Sequence, residues 1–333
     1  MDEKPSESRD HALIDPDDLF RKRLPGDISL ADLAIASLQP YLDELPKRHT
    51  MLTLGSSKTD GGDFKGSIRA TGKFSSKGIT VTKSISTAGN SEIDGLMVVR
   101  NKTSLAGNVH IKSNAVFAGK TSINGNVEVD ENIISSASIT LSGHVEVKKQ
   151  LITDGKIRTR GRVKIRQIQS LSSLHARGRL DVDENIRAKQ FQIQGTGNIG
   201  GDINAKSVGI GRNKHLKRYM RNYELDRDLR NPVELIKYIG NLIISPIINR
   251  PKSKSPLLVE GDIIGDDIFM ENVIINGDLN GRRITIGDNV IIRGKIEYSE
   301  KLVLLPKDSK NLYEITKIEA DELRYLAPAD EAK

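Results

Sequence analysis

Cysteine and tryptophan are both missing from this chain of 333 residues, and aromatic residues amount to only 4% of it. Without cysteine there is no disulfide framework and no thiolate chemistry, a composition that fits a reducing compartment. So few rings argue against a globular enzyme of this length, whereas a core of stacked Val, Ile and Leu needs almost none. No apolar run reaches the roughly 18 residues of a membrane-crossing helix. The first 25 residues are charged and contain no apolar signal-peptide core. These absences fit a cytoplasmic location. Charge is not balanced either: 51 Lys and Arg face 44 Asp and Glu, a net +7 that admits acidic partners.

What is present is a short period. From Gly107 to Gln194 the chain falls into rows of eighteen and then seventeen residues. Each row opens on Gly, a polar residue and an aliphatic-x-aliphatic pair, as in Gly125-Asn126-Val127-Glu128-Val129. A fixed period of this kind decides the architecture before any single residue does. Each row divides into units of about six, and within a unit the pattern alternates with period two. Val127 and Val129, Ile133 and Ser135, then Ile139 and Leu141 share one side; Asn126, Glu128 and Asp130 take the other. Period two with one buried side is a β-strand signature. Three short strands per turn predict an all-β fold, a right-handed three-faced parallel β-helix of about 17–18 residues per turn, stacked at about 4.8 Å. The leading Gly of each row is expected at a corner. Asn114, Asn132 and Asn185, with Gln150 between, are expected at another corner, in left-handed conformation and laddered from turn to turn.

Taken in order, residues 1–25 read as a disordered arm and 26–54 as an N-terminal helix region. Ser29 caps the helix there, and Pro40 kinks or breaks it. The β-helix occupies 55–211. A helical hairpin insertion and linker follow over 212–256, with Asn231-Pro232 opening its second helix. The β pattern resumes over 257–305, with Gly261, Gly277 and Gly294 sixteen and seventeen residues apart, and stacks on the first part. Residues 306–333 form a helical tail, with a helix near 312–326.

No constellation for catalysis stands out, and no cofactor or metal motif does. The six histidines (His11, His49, His110, His144, His175 and His215) form no HxH or HExxH pair. Gly195–Gly200 matches GxGxxG but lies in the strand pattern and opens no helix, so dinucleotide binding is rejected. Two surfaces are candidates for contacts. Lys156, Arg158, Arg160, Arg162, Lys164 and Arg166 occupy every second position of one run, so all six point outward. They form either a salt-bridging face or a strip for an acidic ligand; no aromatics interleave to stack bases, which ranks nucleic acid behind lipid or polymer. In the insertion, Lys217, Arg218 and Arg221 precede an apolar face of Leu235, Ile236, Ile239, Leu242 and Ile243. It either packs on the β-helix or contacts a membrane or partner.

The runs Gly107–Ile111, Gly125–Val129, Gly201–Ala205, Val259–Ile263 and Ile275–Leu279, each carrying Gly-[Asn/Asp]-[aliphatic], resemble the bactofilins, the polymer-forming cytoskeletal proteins. The resemblance covers residues 55–211 and 257–305. It implies a right-handed β-helix that polymerises end to end without nucleotide, as a cytoplasmic scaffold often near membrane, with other cytoskeletal or envelope proteins as further partners. This chain departs from the family in its length and in the helical insertion. Two rival readings remain open. One is a left-handed hexapeptide-repeat acyltransferase with His110 as the first catalytic suspect. The other is a rod-like binding module for anionic membrane, nucleic acid or polymer.

Overall fold

The computed structural model describes residues 29–43, 45–81, 83–211, 255–304 and 314–319. They divide between two compact units. Among the described residues, the first holds those within 29–158 and 163–172, the second those within 159–162 and 173–319. Both are parallel β-solenoids.

In the first unit two kinds of strand alternate along the chain. Three-residue strands (Gly62–Phe64, Ile79–Val81, Met97–Val99, Ala115–Phe117 and Ile133–Ser135) pair in parallel, each on the next. The longer strands Ile68–Ser76, Ser84–Ile93, Lys102–Ile111, Thr121–Val129 and Ile139–Thr153 do the same. Register sets like on like, with Gly89, Gly107, Gly125 and Gly143 in one column. The predicted alternation holds inside the long strands: Thr121, Ile123, Val127 and Val129 are buried and the residues between them are not. The glycine column has two physical causes. Gly125 has φ +117°, which an L-side chain rarely adopts, and a Cβ there would meet the Gly107 carbonyl oxygen at 2.3 Å.

The Asn column is differently built from the expectation. Among the described residues the non-glycine positions with positive φ are Asn272 and Asn289, so Asn114 and Asn132 are not left-handed. They ladder instead. The Asn114 Oδ1 accepts both the backbone N–H of Asn132 at 3.2 Å and its Nδ2 at 3.0 Å, and Asn132 Oδ1 accepts the Gln150 N–H at 3.1 Å. A side-chain carbonyl thus satisfies a backbone donor one turn along, which a corner otherwise leaves without a partner.

Leu30–Asp43 forms the one helix of the described residues. Ser29 caps it as predicted, its Oγ accepting the Asp32 N–H at 3.2 Å. Pro40 lies inside the helix rather than ending it. Leu38 and Leu42 on either side are buried, and their packing holds the backbone helical through the missing hydrogen bond. The helix does not sit on the first turn. Its Leu30, Ala34, Ile35, Leu38 and Leu42 cluster with Leu96, with Val98, Val116 and Ile134 at the centres of successive short strands, and with Ile152, which pairs with Ile134. The first-turn boundary also moves: strand structure begins at Lys47, before residue 55.

In the second unit, Ile203–Ile210 pairs with Ile186–Ile199 on one side and Ile263–Met270 on the other. The chain therefore leaves after Ile210 and returns at Leu257 with register intact, as expected for the resumed pattern. Asp262 N–H donates to Asp202 Oδ1 at 2.8 Å across a separation of 60 residues. The predicted helical hairpin falls mostly on 212–254, outside the described residues, as does the N-terminal arm. The predicted C-terminal helix is corrected where it is described: Ile315–Lys317 is a strand, paired with Ile296–Tyr298. The open edge of Ile296–Leu304 decides this. Ile296 N–H donates to the Glu314 carbonyl at 2.8 Å, and Ile318 N–H to the Tyr298 carbonyl at 2.9 Å. A helix would leave those groups unpaired. Among the described residues no helix is long and apolar enough to cross a membrane.

Candidate functional surfaces

The alternating basic run lies on the strand Ile157–Val182, with Ile157, Thr159, Val163 and Ile165 buried and Arg158, Arg160, Arg162, Lys164 and Arg166 exposed. Lys156, just before the strand, is half-buried. The outward direction read from period two is therefore correct for the strand residues. The run is divided between the units. In the first, Lys164 Nζ lies 3.1 Å from Glu146 Oε1, one turn away. Part of the strip is thus an ion-paired face. In the second, Gly178 stacks on Gly161, where an added Cβ would meet the Gly161 carbonyl oxygen at 2.3 Å. That contact places Arg177 one turn along from Arg160, and Arg179 one turn along from Arg162. All four guanidinium-bearing residues are exposed. Asp181 Oδ2 accepts a hydrogen bond from Arg179 Nε at 2.6 Å, which raises the guanidinium pKa. The insertion residues Lys217, Arg218, Arg221, Leu235, Ile236, Ile239, Leu242 and Ile243 lie outside the described residues.

A second surface was not legible as a site in the sequence. It is a face of the first unit formed by the strand residues that follow the glycine column. One column there carries Asn90, Asn108 and Asn126, with Asn108 Nδ2 donating to Asn90 Oδ1 at 3.0 Å. Two residues along each strand, the outward column reads Glu92, His110, Glu128 and Glu146. Between these columns runs a groove of about 440 Å³. Its outer edge is a set of ion pairs. Lys112 Nζ lies 2.7 Å from both Glu92 Oε1 and Asp94 Oδ1. Lys148 Nζ lies 2.7 Å from both Glu128 Oε1 and Asp130 Oδ1. Asp94 and then Glu92 raise the Lys112 ammonium pKa, and Asp130 and then Glu128 raise that of Lys148. Both ammonium groups are exposed, so solvent screens each pair and weakens its contribution to stability.

His110 sits in this face rather than apart from it. Its Nε2 lies 3.0 Å from Asp130 Oδ2. Burial acts to raise the Asp130 pKa, but hydrogen bonds from Lys148 and His110 outweigh it and hold the carboxyl below its ordinary value. One ligating atom from each of His110, Glu128 and Asp130 lies within 4.8 Å of the others. No local motif signals this grouping. The only sequence signal is the row register, which places residue 128 directly above residue 110.

Family models, curated proteins and solved structures were all compared with the chain, and none matches.

Proposed function

We propose that this chain is a non-enzymatic structural scaffold of bactofilin-like type, built on right-handed, three-faced solenoid turns and self-associating through its end turns without nucleotide. The observation that carries the reading is the open first turn. Lys47–Arg48 and Met51–Leu54 each pair on one side only among the described residues. Leu52 and Leu54 on that edge are 70% and 82% exposed. Unpaired backbone groups beside exposed leucines are a template for another chain. Three faces are favoured because the glycine column bends each long strand midway, so that each half adds a straight run to the short strand. The right hand is favoured because parallel crossovers take it almost without exception. The scaffold is placed in the cytoplasm, assembling as a homopolymer or homo-oligomer.

Negative-stain microscopy and sedimentation velocity of the purified full chain test the reading. Assemblies are expected to grow with concentration, to form without added nucleotide, and to shrink in the double substitution Leu52→Lys/Leu54→Lys. A monodisperse monomer across salt and concentration sinks it.

The four arginines around Gly161 and Gly178 favour a second contact, with an anionic membrane surface. Co-sedimentation with phosphatidylserine vesicles should exceed that with phosphatidylcholine vesicles, and should fall in Arg160→Ala/Arg162→Ala. Equal binding to both vesicle types would remove this reading.

A further inference from the structure

We propose that His110, Glu128 and Asp130 form a binding site for a divalent metal ion of the zinc class, and that Lys148 is its built-in competitor. The inference concerns the first unit alone and stands whether or not the chain polymerises.

Three features of the face carry it. The first is donor geometry. In a tetrahedral site with bonds of about 2.0–2.1 Å, ligand atoms lie about 3.3 Å apart. His110 Nε2 and Asp130 Oδ2, at 3.0 Å, already have the separation of two ligands on one ion. Glu128 completes the set from within 4.8 Å, and it is the most exposed of the three, so a side-chain rotation brings it in. The second is what occupies the position now. Lys148 Nζ touches Glu128 Oε1 and Asp130 Oδ1 at 2.7 Å each, so the structure already holds one cation between these carboxylates. Lys148 is 48% exposed, and an exposed ammonium is a weak, screened occupant. An ion gripped by three donors displaces it. The third is contrast within the same column. Glu92 and Asp94 bind Lys112 by the same two contacts, but no imidazole joins them. Among the described residues the grouping with an imidazole occurs at His110.

Imidazole with two carboxylates selects the ion class. Calcium and magnesium prefer all-oxygen sites, while an imidazole nitrogen suits zinc and its neighbours. Both His110 and Glu128 also line the groove, so the remaining coordination position faces open space where water or a ligand oxygen fits.

The test is calorimetric titration of zinc chloride into the purified full chain in a non-chelating buffer, with ¹⁵N spectra following the His110 imidazole. One zinc per chain is expected at a Kd of about micromolar order. His110→Ala should abolish the binding, and Asp130→Asn should weaken it by about tenfold or more. Lys148→Met should tighten it several-fold, because the competitor is gone. Circular dichroism confirms that each variant is folded, since His110 and Asp130 are partly buried and only Lys148 is exposed. Calcium chloride should give no comparable heat. The proposal is overturned if the unaltered chain takes up no zinc at about 100-fold the expected Kd. It is equally overturned if zinc binding survives His110→Ala, if Lys148→Met leaves affinity unchanged or weaker, or if calcium binds as tightly as zinc.

Discussion

The two units use the same strand pattern and finish its outward side differently. In the first unit Val98, Val116 and Ile134 are the centres of short strands and Ile152 is paired with Ile134 one turn along; all four are buried against the N-terminal helix. In the second unit the matching positions are Arg187, Asn204, Ile264, Asn280 and Glu297. Most are polar, and Asn280 Nδ2 donates to Glu297 Oε2 at 2.8 Å along the stack. A solenoid strand is therefore two-sided. The inward side is common to both units, while the outward side follows whatever lies over it. The corner column diverges in the same way. Asn114 and Asn132 ladder as buried neutral amides. In the second unit the side chains of Asn185, Asp202, Asp262 and Asp278 accept the backbone N–H one turn along at 2.7–2.8 Å. Carboxylates are tolerated there because Asp202 and Asp262 are more exposed, so water screens their mutual repulsion.

The helix that makes the difference is held at its start by the solenoid itself. Leu30 N–H donates to Asp154 Oδ2 at 2.9 Å, and Ala31 N–H to Ser136 Oγ at 2.7 Å. An acid at this end also complements the helix dipole. Its fully buried Leu and Ile side chains each contribute about 1.5–3 kcal/mol.

The largest expected contrast is between Ile134→Ala and Arg187→Ala. Ile134 is fully buried between solenoid and helix, so its truncation should cost about 2–5 kcal/mol. Arg187 is exposed, and its truncation should stay within about 0.5 kcal/mol. Urea unfolding of the full chain measures both; equal losses would mean that the helix does not protect the short-strand face.

Gly125→Ala comes next. Positive φ and the 2.3 Å approach to Gly107 act together, and a loss of about 2 kcal/mol or more is expected. A midpoint unchanged in urea would show that the corner relaxes freely.

A reciprocal pair addresses the corner columns. Asn132→Asp places a charge at a buried ladder position and should cost about 1–3 kcal/mol. Asp262→Asn removes a like charge from a partly exposed column and should be neutral or stabilising by a few tenths of a kcal/mol. Thermal unfolding reads both; a stabilising Asn132→Asp would dissolve the distinction between the two columns.

The smallest effect is a pH dependence confined to the second unit. Burial raises the Asp266 pKa above its ordinary 3.8, partly offset by Arg282 and Lys206. A raised folded-state pKa means the contribution of the protonated acid is complete below 3.8 and is lost as pH rises through the folded value. Asp266→Asn should therefore stabilise at neutral pH, and the gain should disappear as pH falls to 3.8. A gain that is independent of pH would show that desolvation of the carboxylate is not its origin.

The chain itself announces its period. Because β side chains alternate strictly, Val127, Val129, Ile133, Ser135, Ile139 and Leu141 could be assigned inward from the rows alone, and all are buried. The corner glycines follow from the same repeat. The helix expected near 312–326 gives way to a strand at Ile315–Lys317, because an unpaired strand edge outweighs a weak local preference. The outward direction of Arg158 to Arg166 was readable, but their neighbours were not: Lys164 meets Glu146, and Arg160 and Arg162 meet the Arg177 and Arg179 turn, through stacking offsets that only the register supplies. His110 looked like an isolated surface histidine for the same reason.

The sequence by itself determined the repeat, the strand period and the inward columns, since these depend on residues a few positions apart. Tertiary structure alone decided which outward valines and isoleucines are covered, where the helix lies, and which side chains of successive turns meet. Those outcomes depend on groups separated by 16 to 124 residues. Such groups become neighbours only when backbone hydrogen bonding fixes one turn upon the next.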